Sequence, residues 1–264
     1  MNRPPRWCMV ILCFLVLSSA VWTQERALAY RYRKGQEMTY KRTIHLQAES
    51  AVNPEGKDDD VFEQVYHLRV EDVTQDGSAK MTLWLDSAAL WKKGERLNLP
   101  PADSLRSVSV QFSISNVGHL LEVGTPSSSN VVQEAFLNDI LVGIANRPAL
   151  SGIVQEVGST WKEDKEVHVA HARVSVKARA AVTSRYVRNE LYRGIDCARI
   201  EYSAVLTIGT SRVGTMKGTL WFGRATGQLI REAVEWDVVV YTVDQKQRVQ
   251  WRIKEKEVVE KVDR

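Results

Sequence analysis

The feature that most constrains this chain is a period-two alternation of apolar and polar side chains. Residues 108–115 show it most clearly, because Val108, Val110, Phe112 and Ile114 alternate with serines and a glutamine. Successive side chains of an extended strand point to opposite faces, so each such stretch has one face for a core and one for solvent. The pattern recurs over 38–46, 62–70, 200–208, 234–240 and 249–254. It predicts a mainly β protein made of antiparallel strands.

One segment breaks this pattern and has helical periodicity instead. Asn130 and Gln133 fit an N-cap and a capping box, and Pro148 requires the helix to end before it. We therefore predict a single central amphipathic helix over 130–145. Its predicted apolar stripe consists of Val132, Phe136, Ile140 and Ile144, flanked by Leu137 and Leu141.

The helix divides the chain into a first β half, 28–124, and a second β half, 155–260. We expect the two halves to form one continuous domain: a large curved antiparallel sheet, or half-barrel, around the helix. Each half begins with a glycine turn followed by an aromatic residue, and each ends with strand, turn and strand. This similarity is either a duplication or the common appearance of meandering sheets.

Two local predictions accompany this division. Pro54, Gly56 and the aspartates that follow predict a solvated loop over 53–60. The alternation from about 166 to 187 predicts one long strand, or two strands joined by a bulge.

The N-terminus has the organisation of a signal peptide. Arg3 and Arg6 precede an apolar run over 7–17, and small residues 18–20 allow cleavage after Ala20, with Ala29 as an alternative site. The apolar run is short for a membrane-spanning helix, so we expect no transmembrane segment after cleavage of residues 1–20. The mature protein is then exported, to the periplasm or beyond. It keeps one cysteine, Cys197, which we interpret as a small buried residue.

Several function classes find little support. The net charge of +4 is small and the charges are interspersed, so neither nucleic acid nor a membrane surface is indicated as a partner. The chain lacks the spacing motifs of zinc sites, calcium loops, phosphate-binding loops and nucleophile elbows. We therefore predict no cofactor, no metal and no catalytic residue. The enzymatic alternative is a hydrolase with two carboxylates, Glu201 together with Glu232 or Glu235.

The most suggestive feature is a group of small and aromatic residues on the predicted inward faces. Small side chains on a curved sheet leave room under the helix, which suits a lipid or another hydrophobic ligand. The alternative is that the alanines only make room for the helix and the core is filled. The predicted ligand-binding residues are Phe136, Ile140, Ala170, Ala172, Ala178, Ala180, Tyr202, Ala204 and Trp236.

Three motifs resemble those of an uncharacterised family of exported bacterial β-rich proteins. They are Tyr30-Arg-Tyr-Arg-Lys-Gly35, Val157-Gly-Ser-Thr-Trp161 and Gly218-Thr-Leu-Trp-Phe-Gly-Arg-Ala-Thr-Gly-Gln-Leu-Ile230. That family's sheet is similar to the curved half-barrel of the lipoprotein-localisation carriers. The resemblance implies a fold and an exported location, and it brings no catalytic residues.

These observations together predict a non-enzymatic binding protein of the cell envelope, with a hydrophobic ligand or a protein partner. A structural or assembly component of the envelope is the alternative from another class.

Overall fold

The computed structural model describes residues 27–50, 53–99, 101–127, 131–171, 174–244 and 247–262. Within these ranges, the side chains of 53–57, 102, 170, 171, 174, 242–244, 247 and 248 are not described. The predicted signal peptide 1–20, the predicted N-cap Asn130 and the site residue Ala172 therefore lie outside the described residues.

Twelve strands and two helices make up the described part of the chain. Before the long helix they are β1 (Glu37–Ser50), β2 (Asn53–Val73), β3 (Ala79–Lys92), β4 (Glu95–Leu97), α1 (Ala102–Arg106), β5 (Ser109–Ile114) and β6 (Leu120–Val123). The long helix α2 (Val131–Asn146) follows. After it come β7 (Thr160–His171), β8 (Val174–Tyr192), β9 (Ile195–Ile208), β10 (Ser211–Gly223), β11 (Gln228–Asp244) and β12 (Gln247–Lys261).

All twelve strands belong to one open antiparallel sheet. Its order is β6-β5-β3-β2-β1-β12-β11-β10-β9-β8-β7, with β4 beside β3. Each half is thus a meander, and the halves join where β1 pairs with β12 over eleven residue pairs, from Tyr40–Lys261 to Ser50–Trp251. The predicted fold class, a large antiparallel sheet with one long helix, is confirmed. The predicted duplication stays a prediction.

The sheet curves around α2. The helix contacts both β3 and β7, which are eight strand positions apart in the sheet. In a flat sheet, eight spacings of about 4.8 Å would separate these strands by about 38 Å. A helix of 16 residues is only about 24 Å long. The strands therefore wrap around the helix, and we call the face that contacts it the inner face.

The segment after α2 brings the two edges of the sheet together. The backbone N–H of Ala149 donates to Glu163 of β7 over 2.8 Å, and the indole N–H of Trp161 donates to the carbonyl of Ala149 over 3.0 Å. The next residue, Leu150, donates to the carbonyl of Val117, in the turn between β5 and β6, over 2.9 Å. Residues 149–150 therefore bridge the two edges at this end of the half-barrel.

Helix α2 occupies the predicted segment, but its buried face is rotated from the predicted stripe. Its buried residues are Gln133, Leu137, Ile140, Leu141 and Ile144. Val132 is 48% exposed, and Phe136 is only partly buried. The reason lies in the first turn, where the side-chain amide of Gln133 donates to the carbonyl of Ser104 over 2.6 Å. The first turn thus rests against the short helix α1, which the alternation did not predict.

Both local predictions were wrong. The acidic stretch 53–60 is the start of β2, because pairing with β1 extends it: Asp58, Asp59 and Asp60 stand opposite Ala48, Gln47 and Leu46. The stretch 166–187 is a hairpin of β7 and β8, in register from Thr160–Arg185 to His171–Val174. Residues 172–173, between the two strands, lie outside the described residues, and the sequence there has no glycine, proline or asparagine.

Candidate functional site

The inner face has an apolar strip that crosses six neighbouring strands. Successive hydrogen-bonded registers place one residue of each strand in line across the sheet. All except the glycine are buried, with at most 1% of their surface exposed. We call this strip the apolar wall: Ala48, Ile253, Val238, Gly214, Leu206 and Ala180, from β1, β12, β11, β10, β9 and β8.

Two glycines of β10 keep the inner face flat where neighbouring groups approach closely. A Cβ atom at Gly214 would lie 2.3 Å from the carbonyl oxygen of Asp237, and one at Gly218 would lie 2.4 Å from the ring of Tyr202. Glycine inside a strand often marks such a close approach. Any larger residue at these two positions would force β10 or its neighbours to move.

A second row runs beside the wall and contains one charged residue. Its members are Val182, Ala204, Met216, Trp236, Glu255 and Leu46. Glu255 is the only ionisable side chain in this row. The row lies between the apolar wall and the part of the inner face that α2 crosses.

The structure brings four of the predicted ligand-binding residues onto this surface. Ala180 belongs to the wall, and Ala204 and Trp236 belong to the second row. Ala178 is buried two residues from Ala180 on the same strand. Whether these residues bind a ligand stays a prediction.

The other predicted residues lie elsewhere or outside the description. Tyr202 is on the inner face, where its hydroxyl donates to Glu232 over 2.8 Å. Ile140 is buried in α2, and Phe136 packs against the core from its flank. Ala170 pairs with Ser175 through the backbone, but its side chain and Ala172 lie outside the described part of the chain.

A buried ionic network lies under the middle of α2. Arg42 of β1 donates from Nε and Nη2 to the two carboxylate oxygens of Glu257 over 2.7 and 3.2 Å. Its Nη1 donates to Gln64 of β2 over 3.2 Å and to Asp139 of α2. Gly143 lets the helix approach, because a Cβ there would lie 3.1 Å from Nη2 of Arg42. The network thus links β1, β2, β12 and α2.

Glu255 lines a small cavity next to this network. The cavity has a volume of about 30 Å³, and its walls include Arg42, Asp139, Glu257, Trp236 and Ile253. Burial and then the charge of Glu257 raise the pKa of Glu255 to about 8, while Arg42 acts in the opposite direction. Glu255 is therefore largely a neutral acid at pH 7.

A second polar pair anchors the C-terminal end of α2. Arg147 donates from Nε to Glu232 of β11 over 2.6 Å. A cavity of about 30 Å³ adjoins it, lined mainly by aromatic and apolar residues that include Tyr30, Tyr40, Tyr66 and Arg147. Since Arg147 and Glu232 neutralise each other and are only 11% and 5% exposed at their side chains, we interpret this pair as a structural anchor.

Of the two carboxylate pairs considered for hydrolysis, Glu201 with Glu232 was wrong. Glu232 is buried on the inner face, whereas Glu201 and Glu235 belong to the outer face of β9 and β11. Glu235 pairs there with Lys217 and Lys256. The sheet separates Glu201 from Glu232, so this pair cannot flank one substrate bond. Glu201 and Glu235 share the outer face, and a role of that pair in hydrolysis stays a prediction. Cys197 is buried, and burial raises the pKa of its thiol to about 11, which does not favour a reactive thiolate.

Sequence reasoning missed Arg42, Gln64, Glu255 and Glu257, although the alternation contained the signal. The inward face of 38–46 reads Met, Tyr, Arg, Ile, Leu, and that of 251–259 reads Trp, Ile, Glu, Glu, Val. A charged residue in an inward apolar series requires a partner or a function. Identifying each partner needs the strand order, which places β1 beside β12.

Neither a metal site nor a membrane-spanning helix emerges from the described ranges. Within them, no three His, Cys, Asp or Glu side chains group together in a way that could hold a metal ion. Neither described helix has the length and apolar character needed to cross a membrane.

Comparison with known proteins gives structural matches only. No protein-family model matches the chain, and no curated protein sequence matches it. The chain is similar to a solved structure of lipovitellin described under "lipid-protein interactions in lipovitellin", with a TM-score of 0.55 and 14% identity. The match covers 88% of this chain and 26% of the lipovitellin chain, so the chain spans about a quarter of that protein's length. At this identity the likeness is one of fold.

Three further solved structures are similar over most of both chains, with TM-scores of 0.30 to 0.33. The hypothetical lipoprotein YmcC of Escherichia coli is 12% identical (96% of this chain, 97% of that one). A protein of Bacteroides fragilis described as exported, with a YmcC-like fold, is 9% identical (90% and 100%). A protein of Parabacteroides distasonis described as a lipoprotein is 11% identical (88% and 95%). They are of the class that the sequence motifs predicted, and at these TM-scores nothing about this chain's function follows from them.

Proposed function

We propose that this protein is an exported, non-enzymatic binding protein of the cell envelope, which holds a hydrophobic ligand against the inner face of its sheet. The observation that carries the proposal is the apolar wall. Six adjacent strands present small or aliphatic residues in one line. A continuous surface of this kind suits the side of a hydrocarbon chain.

The wall extends beyond the reach of α2. The helix contacts Arg42 on β1, and Ala48 of the wall lies about 20 Å further along that strand at about 3.3 Å per residue. A helix with its side chains is only about 10–12 Å across. Packing of α2 therefore does not by itself account for an apolar residue at Ala48, which supports a role for the wall in binding. Because the wall residues other than the glycine are at most 1% exposed, a ligand would have to displace the groups that cover them.

The fold supports the same proposal. The lipovitellin chain, whose structure was described for its lipid–protein interactions, has a similar fold over 88% of this chain. The predicted signal peptide supports an exported location. We propose the periplasm, since a binding protein for apolar ligands is useful between two membranes.

The test is native mass spectrometry of the mature protein, purified gently from its own host. We expect a reproducible added mass that organic extraction removes and identifies as an apolar compound. A bare mass, together with failure of the delipidated protein to bind an uncharged fluorescent probe such as N-phenyl-1-naphthylamine, would contradict the proposal. It would favour the filled core and, with it, a structural or assembly role.

A pair of variants locates the ligand. Ala180→Phe places a ring on the wall, and Ala181→Phe places the same ring on the exposed outer face of β8. We expect Ala180→Phe to weaken probe binding about tenfold or more, which corresponds to about 1.4 kcal/mol, and Ala181→Phe to leave it unchanged. Ala180→Val serves as a milder variant if the phenylalanine prevents folding. Equal binding by all three variants would contradict this location.

A further inference from the structure

The cavity beside Glu255 is built differently from the wall that it adjoins. Its lining is mixed: Trp236, Ile253 and Val169 are apolar, whereas Arg42, Asp139 and Glu257 are charged. Trp236 and Ile253 also belong to the second row and the apolar wall, so the cavity lies at the polar end of the proposed ligand surface. An amphiphile along the wall would place its headgroup here.

Arg42 is not free to receive an anionic headgroup. Four hydrogen bonds, to both oxygens of Glu257, to Gln64 and to Asp139, occupy four of its five N–H groups. An incoming carboxylate or phosphate would find these donors taken and would stand next to three carboxyl groups. The electrostatic balance of the cavity therefore disfavours anions.

Glu255, by contrast, has a carboxyl group that can accept hydrogen bonds. Among the described residues, its carboxyl group has neither a hydrogen bond nor an ion pair, although it lines the cavity. Glu255 is half-buried, so only water is left to satisfy its carboxyl group in these partly apolar surroundings, and a ligand that supplies N–H donors could replace this water. The unpartnered carboxyl group of Glu255 and the cavity that it lines are two separate observations. Both indicate a headgroup that donates hydrogen bonds.

The cavity is large enough for such a headgroup. Its volume of about 30 Å³ exceeds the roughly 10–15 Å³ that a site needs to hold one water molecule. A compact ammonium group therefore fits in this space.

We propose that this cavity binds the primary ammonium group of a long-chain amine, with Glu255 as its acceptor and with the hydrocarbon chain along Trp236 and the apolar wall. The inference rests on the proposed function and names its ligand class. Binding forms no covalent bond with the ligand: the ammonium N–H groups donate to the Glu255 carboxylate, and the proton that this carboxyl group held leaves to solvent.

Release of this proton gives the inference a distinctive signature. The charged groups around Glu255 are Arg42 of β1, Asp139 of α2 and Glu257 of β12, and His168 of β7 also lines the cavity with Nε2 against the Ser175 hydroxyl. Because the pKa of Glu255 is raised to about 8, the free protein holds this proton at pH 7 and the amine complex does not. Amine affinity should therefore increase from pH 6 to pH 8.

The experiment compares three ligands of one chain length, dodecylamine, dodecanol and dodecanoic acid, below their micelle concentrations. Each displaces the uncharged probe from the mature, delipidated protein at pH 7. We expect dodecylamine to bind about tenfold more tightly than dodecanol, and dodecanoic acid to bind most weakly. Calorimetry in buffers of different ionisation enthalpy should show proton release with dodecylamine and none with dodecanol.

Glu255→Gln is the decisive variant, with Glu235→Gln on the outer face as its control. We expect Glu255→Gln to abolish both the amine preference and the proton release, while its dodecanol affinity stays that of the wild type. Equal binding of the three ligands, tighter binding of the acid, or an unchanged preference in Glu255→Gln would overturn the inference and leave the proposed function standing. Failure of all three ligands and of the probe would overturn the proposed function itself.

Discussion

At the scale of single residues, the inner face combines an apolar surface with charges that are almost fully paired. Arg42 and Glu257 are 5% and 8% exposed at their side chains, so each depends on the other for compensation. Removal of one partner from a buried pair leaves an isolated charge, which costs far more than the loss of an exposed pair.

We therefore predict that Arg42→Met destabilises the protein by about 3 kcal/mol or more, because Glu257 remains buried without its partner. The control is Lys41→Met on the next residue, whose pair with Glu63 lies on the outer face with side chains 46% and 37% exposed. That change should cost less than about 1 kcal/mol. Urea unfolding of both variants measures the difference, and equal costs would show that the network is not a stabilising unit.

A second prediction concerns the effect of Glu255 on how stability depends on pH. Its folded-state pKa of about 8 lies above the ordinary value of 4.5. Between these values the folded chain holds a proton that the unfolded chain has lost, so the contribution to stability falls as pH rises from about 5 to 8. Glu255→Gln removes this loss. Relative to the wild type, the free energy of unfolding of the variant should therefore increase by at least about 1 kcal/mol over that range.

Chemical unfolding at pH 5 and pH 8 measures this gain. Glu235→Gln is again the control, because hydrogen bonds from Lys217 and Lys256 lower the pKa of Glu235. The contribution of Glu235 to stability is lost only at more acidic pH. The difference in free energy of unfolding between Glu235→Gln and the wild type should therefore stay the same between pH 5 and 8. A constant difference between wild type and Glu255→Gln would mean that Glu255 titrates normally.

At the scale of elements, the join between α2 and the edge strand β7 depends on one side chain. Asn146 donates to the carbonyl of His168 over 2.8 Å and accepts from its N–H over 2.9 Å. These two bonds imitate a neighbouring strand and satisfy the edge at this point.

We predict that Asn146→Ala increases hydrogen exchange of the β7 amides about tenfold while β9 stays protected, since about 1–2 kcal/mol of local hydrogen bonding is lost. Asn138→Ala on the exposed face of the same helix is the matched control and should leave β7 unchanged. Exchange followed by mass spectrometry resolves the two strands. If β7 and β9 respond equally, the edge is held by other contacts.

Some of these elements could be identified from the sequence alone, and others could not. The alternation in 108–115 and the helical spacing in 130–145 identified β5 and α2, because burial against one surface imposes these periods directly. The hairpin of β7 and β8 was not recognised, because the sequence between the two strands has no glycine or proline to interrupt the alternation. The rotated face of α2 depends on Ser104, far away in sequence, and the partners of Arg42 depend on strand order.

For the whole molecule, the pairing of β1 with β12 makes the two halves mutually dependent. β12 is a central strand only while β1 of the other half covers its edge. We predict that the most protected amides of β2 and β9 exchange through one global unfolding event with a common free energy. Hydrogen exchange at increasing urea tests this, and a lower free energy for either half would reveal separate domains.

The segment that follows α2 has a consequence for self-association. An open sheet has two edges, here β6 and β7. The short β6 limits one edge, whereas Asn146 and residues 149–150 protect the other. A movement of α2 that widens the half-barrel for a ligand would also uncover β7. If the proposed ligand is exchanged through such a movement, two copies are most prone to join edge to edge and aggregate at that moment.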